Sequence, residues 1–322
     1  MCTAIRFNEK YFARTLDFER SFGEEMLITP RGKMRIGEAD NRYAMMGIGV
    51  LRSGLPLYFD GVNEWGLSAA ALNFPGCAVY GSASDGAGVS SSHLISLVLG
   101  FCRSVAEAKD MLGKISITDR GADEKTPPTP LHWILADSRE CAVVESVKEG
   151  LRIYDNPVGV LTNSPELPYH LTRLADISNL QAKNPSAVFA NSPIYSRGMG
   201  AVGLPGDFSS ASRFLRATFI KENTVFTDDK TMAVGRLLSS MSAVSVPCGC
   251  VITDEGEISH TVYTVLCDLE ESTYYLTTAS CRAIRKFTLA DRLCEERTIV
   301  RVPIYDEEIF IEPLHKKRGN GM

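Results

Sequence analysis

The chain opens Met1-Cys2-Thr3-Ala4-Ile5, and the apolar run behind Cys2 turns through Asn8-Glu9-Lys10 into a second one at Tyr11. Two β-prone runs joined by a short polar turn predict a hairpin of strands 3–7 and 11–15. The thiol would then stand at a strand terminus, in a chain whose first residues are tied into a sheet. A residue as small as cysteine behind the initiator normally lets the methionine be trimmed, so the mature chain is expected to begin with Cys2. Thiol and free α-amine would then share one residue. An ordinary α-amine titrates at about 7.7–8.0 and a free thiol at about 8.5, so near neutrality the amine can accept the thiol proton. This is the N-terminal form of nucleophilic catalysis, which needs no histidine. On position alone, an ordinary buried thiol at the start of a strand fits equally well.

With 322 residues, 44% of them hydrophobic, the chain can bury a large core. Nothing marks a division, and residues 1–322 are read as a single domain. The net charge of −5 and the lack of a Lys/Arg block interleaved with aromatics exclude a nucleic-acid footprint. Residues 1–30 lack a basic start followed by a long apolar run, and the most apolar stretch, 94–101, is too short to span a bilayer. A cytoplasmic protein without membrane attachment is expected. The nine cysteines are odd in number and scattered, as reduced thiols are. Cys248-Gly249-Cys250 has one intervening residue where zinc knuckles and dithiol redox motifs use two, and the five histidines share no ligand spacing. No metal and no cofactor is expected.

Strand signals dominate both ends. Segments 43–50, 57–59 and 66–74 read as strands, the last as a buried central one. Residues 92–113 read as helical with a break near Arg103, because Ser104-Val105-Ala106-Glu107 is a capping box. Strands follow at 132–137 and 142–146 and continue at 150–154 and 159–162, before a helix over 166–180. Residues 181–207, rich in Gly and Pro, read as an extended loop. Helices are expected at 209–223 and 229–241, strands at 263–268, 274–278 and 283–288, and a solvated tail at Lys316-Lys317-Arg318-Gly319. Strands clustered around helices indicate an α+β fold of two antiparallel sheets covered by helices.

The second strand of the hairpin delivers Arg14 and Asp17 back alongside Cys2. A guanidinium near sulfur favours thiolate, and a carboxylate near an α-amine can hold and orient it. A surface ion pair of about 0–1 kcal/mol is an equal reading of these two residues. Acyl transfer also needs neutral donors aimed at a developing oxyanion, and side-chain amides suit that work. Asn73 and Asn163 each end an apolar run before a proline-containing turn, a position asparagine also takes for local capping reasons.

The Met1-Cys2-Thr3 start, Arg14-Thr15-Leu16-Asp17, Gly61-Val62-Asn63-Glu64-Trp65-Gly66-Leu67, Leu72-Asn73-Phe74-Pro75, Leu161-Thr162-Asn163-Ser164-Pro165 and the segment from Gly203 through Arg213 to Phe214 together resemble the choloylglycine hydrolase family. That family contains bile salt hydrolases and penicillin V acylases. The likeness runs in order from residue 2 to about residue 280. It implies an N-terminal-nucleophile hydrolase with a four-layer αββα sandwich, often a homotetramer. It assigns the nucleophile to Cys2, contact with the thiol to Arg14, fixing of the amine to Asp17, an oxyanion donor to Asn163, contact with substrate and oxyanion to Asn73, and support of the site to Arg213. Asparagine at position 73 resembles the bile salt hydrolases, since penicillin V acylases often carry tyrosine there.

The resemblance implies hydrolysis of the amide joining a steroid acid to glycine or taurine through a thioester on Cys2. Phe18, Phe22, Leu57, Tyr58 and the loop around Met199 are candidates for an apolar mouth. Ser196-Arg197-Gly198 resembles a variant inclined to taurine conjugates, and a guanidinium suits a sulfonate. Rival readings are an inactive steroid or acyl-amide binding protein and a dithiol or metal protein built on Cys248 and Cys250.

Overall fold

The computed structural model describes residues 1–82, 88–123, 126–186 and 197–310. The tail at Lys316-Lys317-Arg318-Gly319 and residue Ser196 lie outside them. Two antiparallel sheets form the middle of the molecule. The first has seven strands, in the spatial order Val160–Leu161, Cys2–Arg6, Tyr11–Phe18, Ile258–Asp268, Thr273–Thr278 and Arg285–Thr288, with Val251–Ile252 paired to Ile258–Asp268. The second has eight: Gly150–Asp155, Cys141–Val147, Leu131–Ala136, Ser68–Asn73, Leu55–Asn63, Met45–Arg52, Glu25–Thr29 and Val300–Pro303.

Period-two alternation explains the layering. In the second sheet Met26, Ile28, Met46, Ile48, Leu72 and Ile134 point into one core shared with the first sheet. Their neighbours Leu27, Met45, Ala71, Trp133 and Leu135 point the other way, against Leu94–Phe101 and Val105–Leu112. Both faces of these strands are covered, which is why they read as unbroken apolar runs. The helices Ser210–Asn223 and Lys230–Ser242 cover the outer face of the first sheet through Phe214, Leu215, Leu237 and Met241. The result is the α+β, helix–sheet–sheet–helix arrangement anticipated from the sequence. Among the described residues no helix is long and apolar enough to cross a membrane.

The N-terminal hairpin is present with Cys2 opposite Leu16, and its second strand runs on to Phe18. The break near Arg103 is real: the first helix stops at Phe101, and the Ser104 side chain accepts from Glu107 N. Glu107 reaches one residue further back than a reciprocal box requires, accepting from Arg103 N at 2.8 Å.

Several elements differ from expectation. The helix foreseen over 166–180 is Leu167–Arg173 followed by a 3-10 turn at Leu174–Ile177. Within 181–207 the described part contains a 3-10 turn at Met199–Ala201. The strand foreseen at 263–268 begins at Ile258. Glu25–Thr29 and Val300–Pro303, unforeseen, pair with each other at the edge of the second sheet, and the latter is exposed at alternate positions, so its apolar signal is weak.

Candidate active site

Cys2 is buried and heads its strand, and the neighbouring strand carries Arg14 beneath it. Arg14 Nη2 donates to Cys2 Sγ at 3.2 Å and to the carbonyl of Ala71 at 3.2 Å. Its Nη1 donates to Asp60 Oδ2 at 2.8 Å and to the Tyr263 hydroxyl at 2.9 Å. Asp60, fully buried, also accepts from Tyr263 at 2.6 Å and Tyr274 at 3.1 Å. Burial opposes charge on Arg14, but Tyr263, Cys2 and Asp60 outweigh it and hold the guanidinium protonated well above its ordinary range. Burial pushes both phenols far upward, so they donate and stay neutral.

Asn163 and Arg213 close the other side. Cys2 N donates to Asn163 Oδ1 at 2.9 Å, and Arg213 Nη2 donates to the same oxygen at 2.6 Å. Arg213 Nη1 also holds the Cys2 carbonyl and, at 2.7 Å, the hydroxyl of Thr3. These contacts use up Oδ1 and fix the orientation of the amide, whose Nδ2 donates one proton to the Asn73 carbonyl at 2.7 Å and keeps the other. Burial lowers Arg213 from the usual arginine range, offset in part by Asp17 and Cys2. Asn73 is partly exposed at the end of its strand, and its side-chain amide has no hydrogen-bond partner among the described residues.

Asp17 is fully buried one step from Cys2. Its carboxylate accepts from Thr261 at 2.6 Å and Thr15 at 3.1 Å, and its main-chain N–H holds the Met1 carbonyl at 2.9 Å. With Met1 attached, the Cys2 nitrogen is a peptide N–H with a single proton, and Asn163 takes it. The free α-amine in this form of the chain is that of Met1, and it donates to the Asp17 main-chain carbonyl at 2.5 Å, while the Asp17 carboxylate meets Thr15 and Thr261.

A second buried network carries the Asn163 segment. Within it His132 stacks on Phe74 at 4.2 Å, with Nδ1 3.1 Å from Glu145 Oε1 and Nε2 3.0 Å from the Thr162 carbonyl. His170 Nε2 donates to the Asn163 carbonyl at 2.9 Å, and Ser210 Oγ binds that carbonyl and the Asn163 N–H, both at 2.9 Å. The sequence pointed to none of Asp60, Tyr263, Tyr274, His132 or Glu145. A lone acid in the apolar run Leu57–Asp60 was the one available sign of a buried ion pair.

A cavity of about 420 Å³ opens on Cys2 and Asn73. Its walls are mostly apolar, and Phe18, Phe22, Leu57 and Tyr58 line it as anticipated, together with Ile95 and Trp133. Met199 is not among the lining residues, and Arg197 is exposed elsewhere on the surface. Cys248 and Cys250 are exposed, and among the described residues no group of three or more His, Cys, Asp or Glu side chains is placed to hold a metal ion.

A buried thiol backed by arginine, a fixed amide with a spare proton and an apolar cavity are the parts an acyl-transfer site needs. Residues 2–299 match the family model described as linear amide C–N hydrolases, choloylglycine hydrolase family. The chain is 38% identical over 318 residues to a bile salt hydrolase/transferase of Lactiplantibacillus plantarum, covering 95% of this chain and 98% of that one. It is 31% identical to a conjugated bile acid hydrolase of Lactobacillus acidophilus, over 93% of this chain and 99% of that one. A mutant conjugated bile acid hydrolase of Clostridium perfringens superposes with a TM-score of 0.89 at 29% identity, over 98% of this chain and all of that one. A penicillin V acylase of Agrobacterium tumefaciens, at 23% identity and a TM-score of 0.76 over 94% of this chain and 91% of that one, shares the fold. The chain therefore belongs to the choloylglycine hydrolase family and is a linear amide C–N hydrolase of the N-terminal-nucleophile type.

Proposed function

We propose that this enzyme cleaves the amide bond of glycine- or taurine-conjugated bile salts, with Cys2 as nucleophile and Arg14, Asp17, Asn73, Asn163 and Arg213 in the roles the family resemblance gives them. The observation that carries the reading is the apolar cavity of about 420 Å³ ending at Cys2 and Asn73. Its size and lining suit a rigid hydrocarbon acyl group whose carbonyl lies at the sulfur. The L. plantarum and L. acidophilus relatives, a bile salt hydrolase/transferase and a conjugated bile acid hydrolase, point the same way.

In this reading Met1 is removed and the α-amine of Cys2 takes the proton of Sγ. The thiolate attacks the amide carbon, forming an S–C bond, and the oxyanion accepts hydrogen bonds from Asn163 Nδ2 and the free amide of Asn73. The C–N bond then breaks as the α-ammonium returns its proton to the departing amine. Water attacks the thioester, giving its proton to the amine, and the S–C bond breaks to release the carboxylate and restore Cys2. Before Met1 is removed the Cys2 nitrogen already donates to Asn163 Oδ1, the oxygen that Arg213 also binds, which supports this role for it. Arg14 faces the sulfur where the S–C bond forms and breaks.

Glycocholate, taurocholate and penicillin V assayed side by side test the substrate, and appreciably faster release from penicillin V than from both bile salts would overturn it. A chain carrying one extra residue ahead of Cys2 tests the mechanism. Its activity should fall to background, and full activity would reject the α-amine as proton carrier. We also read the enzyme as a cytoplasmic homotetramer, which sedimentation of the purified protein checks as a mass of four chains.

A further inference from the structure

The cavity that ends at Cys2 has a second, polar end. Arg52 is the only charged side chain that lines it among the described residues. It is exposed and has no hydrogen-bond or ion-pair partner among the described residues. Its place is set by a tight hairpin: Arg52 pairs with Leu55 across Ser53 and Gly54, whose φ values of 49° and 82° make the two-residue turn favoured between twisted strands. Leu55 lies four residues along the strand from Phe59, whose carbonyl binds the same guanidinium that touches Cys2 Sγ. At about 3.3 Å per residue, Arg52 sits about 13 Å along the sheet from the level of the nucleophile.

Two hydroxyls belong to this end, and the wall between the ends is apolar. Ser92 lies one helical turn before Ser96, whose Oγ donates to the Pro56 carbonyl at 2.8 Å beside the hairpin. Thr126 bridges to Asp123, whose carboxylate takes the Ser53 hydroxyl at 3.2 Å. Phe18, Leu57, Ile95, Leu131 and Trp133 connect this end to Cys2 and Asn73. An arginine facing an apolar cavity without a protein acceptor presents a fork of donors to whatever fills it.

We propose that Arg52, with Ser92 and Thr126, reads the far end of the acyl group and selects acyl chains that carry an oxyanion there, such as a sulfate ester on the ring remote from the scissile amide. The inference rests on the amide-hydrolase reading of the cavity and adds the chemistry of its distal end. The leaving glycine or taurine lies on the other side of the scissile bond and is not what Arg52 addresses.

The experiment compares kcat/KM for glycine conjugates of one steroid acid with a remote sulfate ester and with a remote hydroxyl, in the wild type, Arg52→Gln and Arg52→Lys. The sulfate-to-hydroxyl preference should fall about tenfold or more in Arg52→Gln, carried by KM, as expected for loss of a charge-assisted contact. Arg52→Lys should keep part of it, because it keeps the charge and loses the fork. A preference unchanged within threefold in Arg52→Gln, or a loss carried by kcat, overturns the proposal. The same pair of ends on N-dodecanoylglycine, with and without a terminal sulfate ester, separates the two readings. If steroid conjugates are inert but the dodecanoyl pair shows the shift, the steroid assignment fails and the role of Arg52 stands. If neither pair shows the shift, the role of Arg52 falls.

Discussion

At the scale of single residues, the site is two buried arginines doing different work around one thiol. Arg14 meets the sulfur side and is balanced by Asp60, while Arg213 meets the main chain and the amide of Asn163. Replacing Cys2 by Ser keeps the packing but substitutes a hydroxyl that is a far poorer nucleophile at neutral pH. Cys2→Ser should lose most turnover with an unchanged fold, and activity within a few-fold of wild type would contradict the assignment. Asp60 carries a prediction of its own, since removing one partner of a buried pair strands the other charge. Asp60→Asn should cost about 3 kcal/mol or more, visible as a thermal midpoint lowered by several degrees. A midpoint within one degree of wild type would show that Tyr263 and Tyr274 are sufficient company for Arg14. Arg14 and Asp17 could be read from the sequence because the hairpin returns them locally to Cys2. Asp60 could not, because only the approach of the second sheet brings it there.

At the scale of elements, close approach of backbones is the controlling fact. Gly47 and Gly61 face each other on paired strands, and a Cβ on Gly47 would lie 2.0 Å from the Asp60 carbonyl oxygen and 2.6 Å from Gly61 Cα. These are main-chain atoms that cannot swing aside. Gly47→Ala should therefore part the strands Met45–Arg52 and Leu55–Asn63 and displace Asp60 from Arg14. The expected outcome is poor soluble yield, or a folded fraction with sharply reduced turnover; normal yield and turnover would refute the close-approach reading. The helix break at Arg103 was legible because Ser104 and Glu107 mark it in the sequence. The edge strand Val300–Pro303 was not, because an edge strand with alternate residues in solvent carries little apolar signal.

At the scale of the whole molecule, the buried polar network under Asn163 links stability to pH. Burial holds His170 below the ordinary 6.5, and its buried Nδ1 has no hydrogen-bond partner among the described residues while Nε2 donates to the Asn163 carbonyl. The folded chain therefore keeps this ring neutral where the unfolded chain begins to protonate. As the pH falls below about 6.5 the unfolded state binds the extra proton, so stability declines through that window until the lower folded-state value is reached. Thermal midpoints measured from pH 7 to pH 5 should fall less steeply in His170→Gln than in wild type, and parallel slopes would remove His170 from the account. The sequence by itself determined the hairpin, the cysteine at its head, the layering of helices on sheets, and the three side chains now found in contact with Cys2, those of Arg14, Asn163 and Arg213. Those features depend on local periodicity, turn chemistry and motifs that stay together along the chain. The tertiary structure alone decided which acid balances Arg14, which histidines carry the Asn163 segment, and that the cavity has Arg52 at its far end. Apart from His170, seven positions from Asn163, each of these joins residues about 30 to 50 positions apart, and only tertiary packing sets their distances.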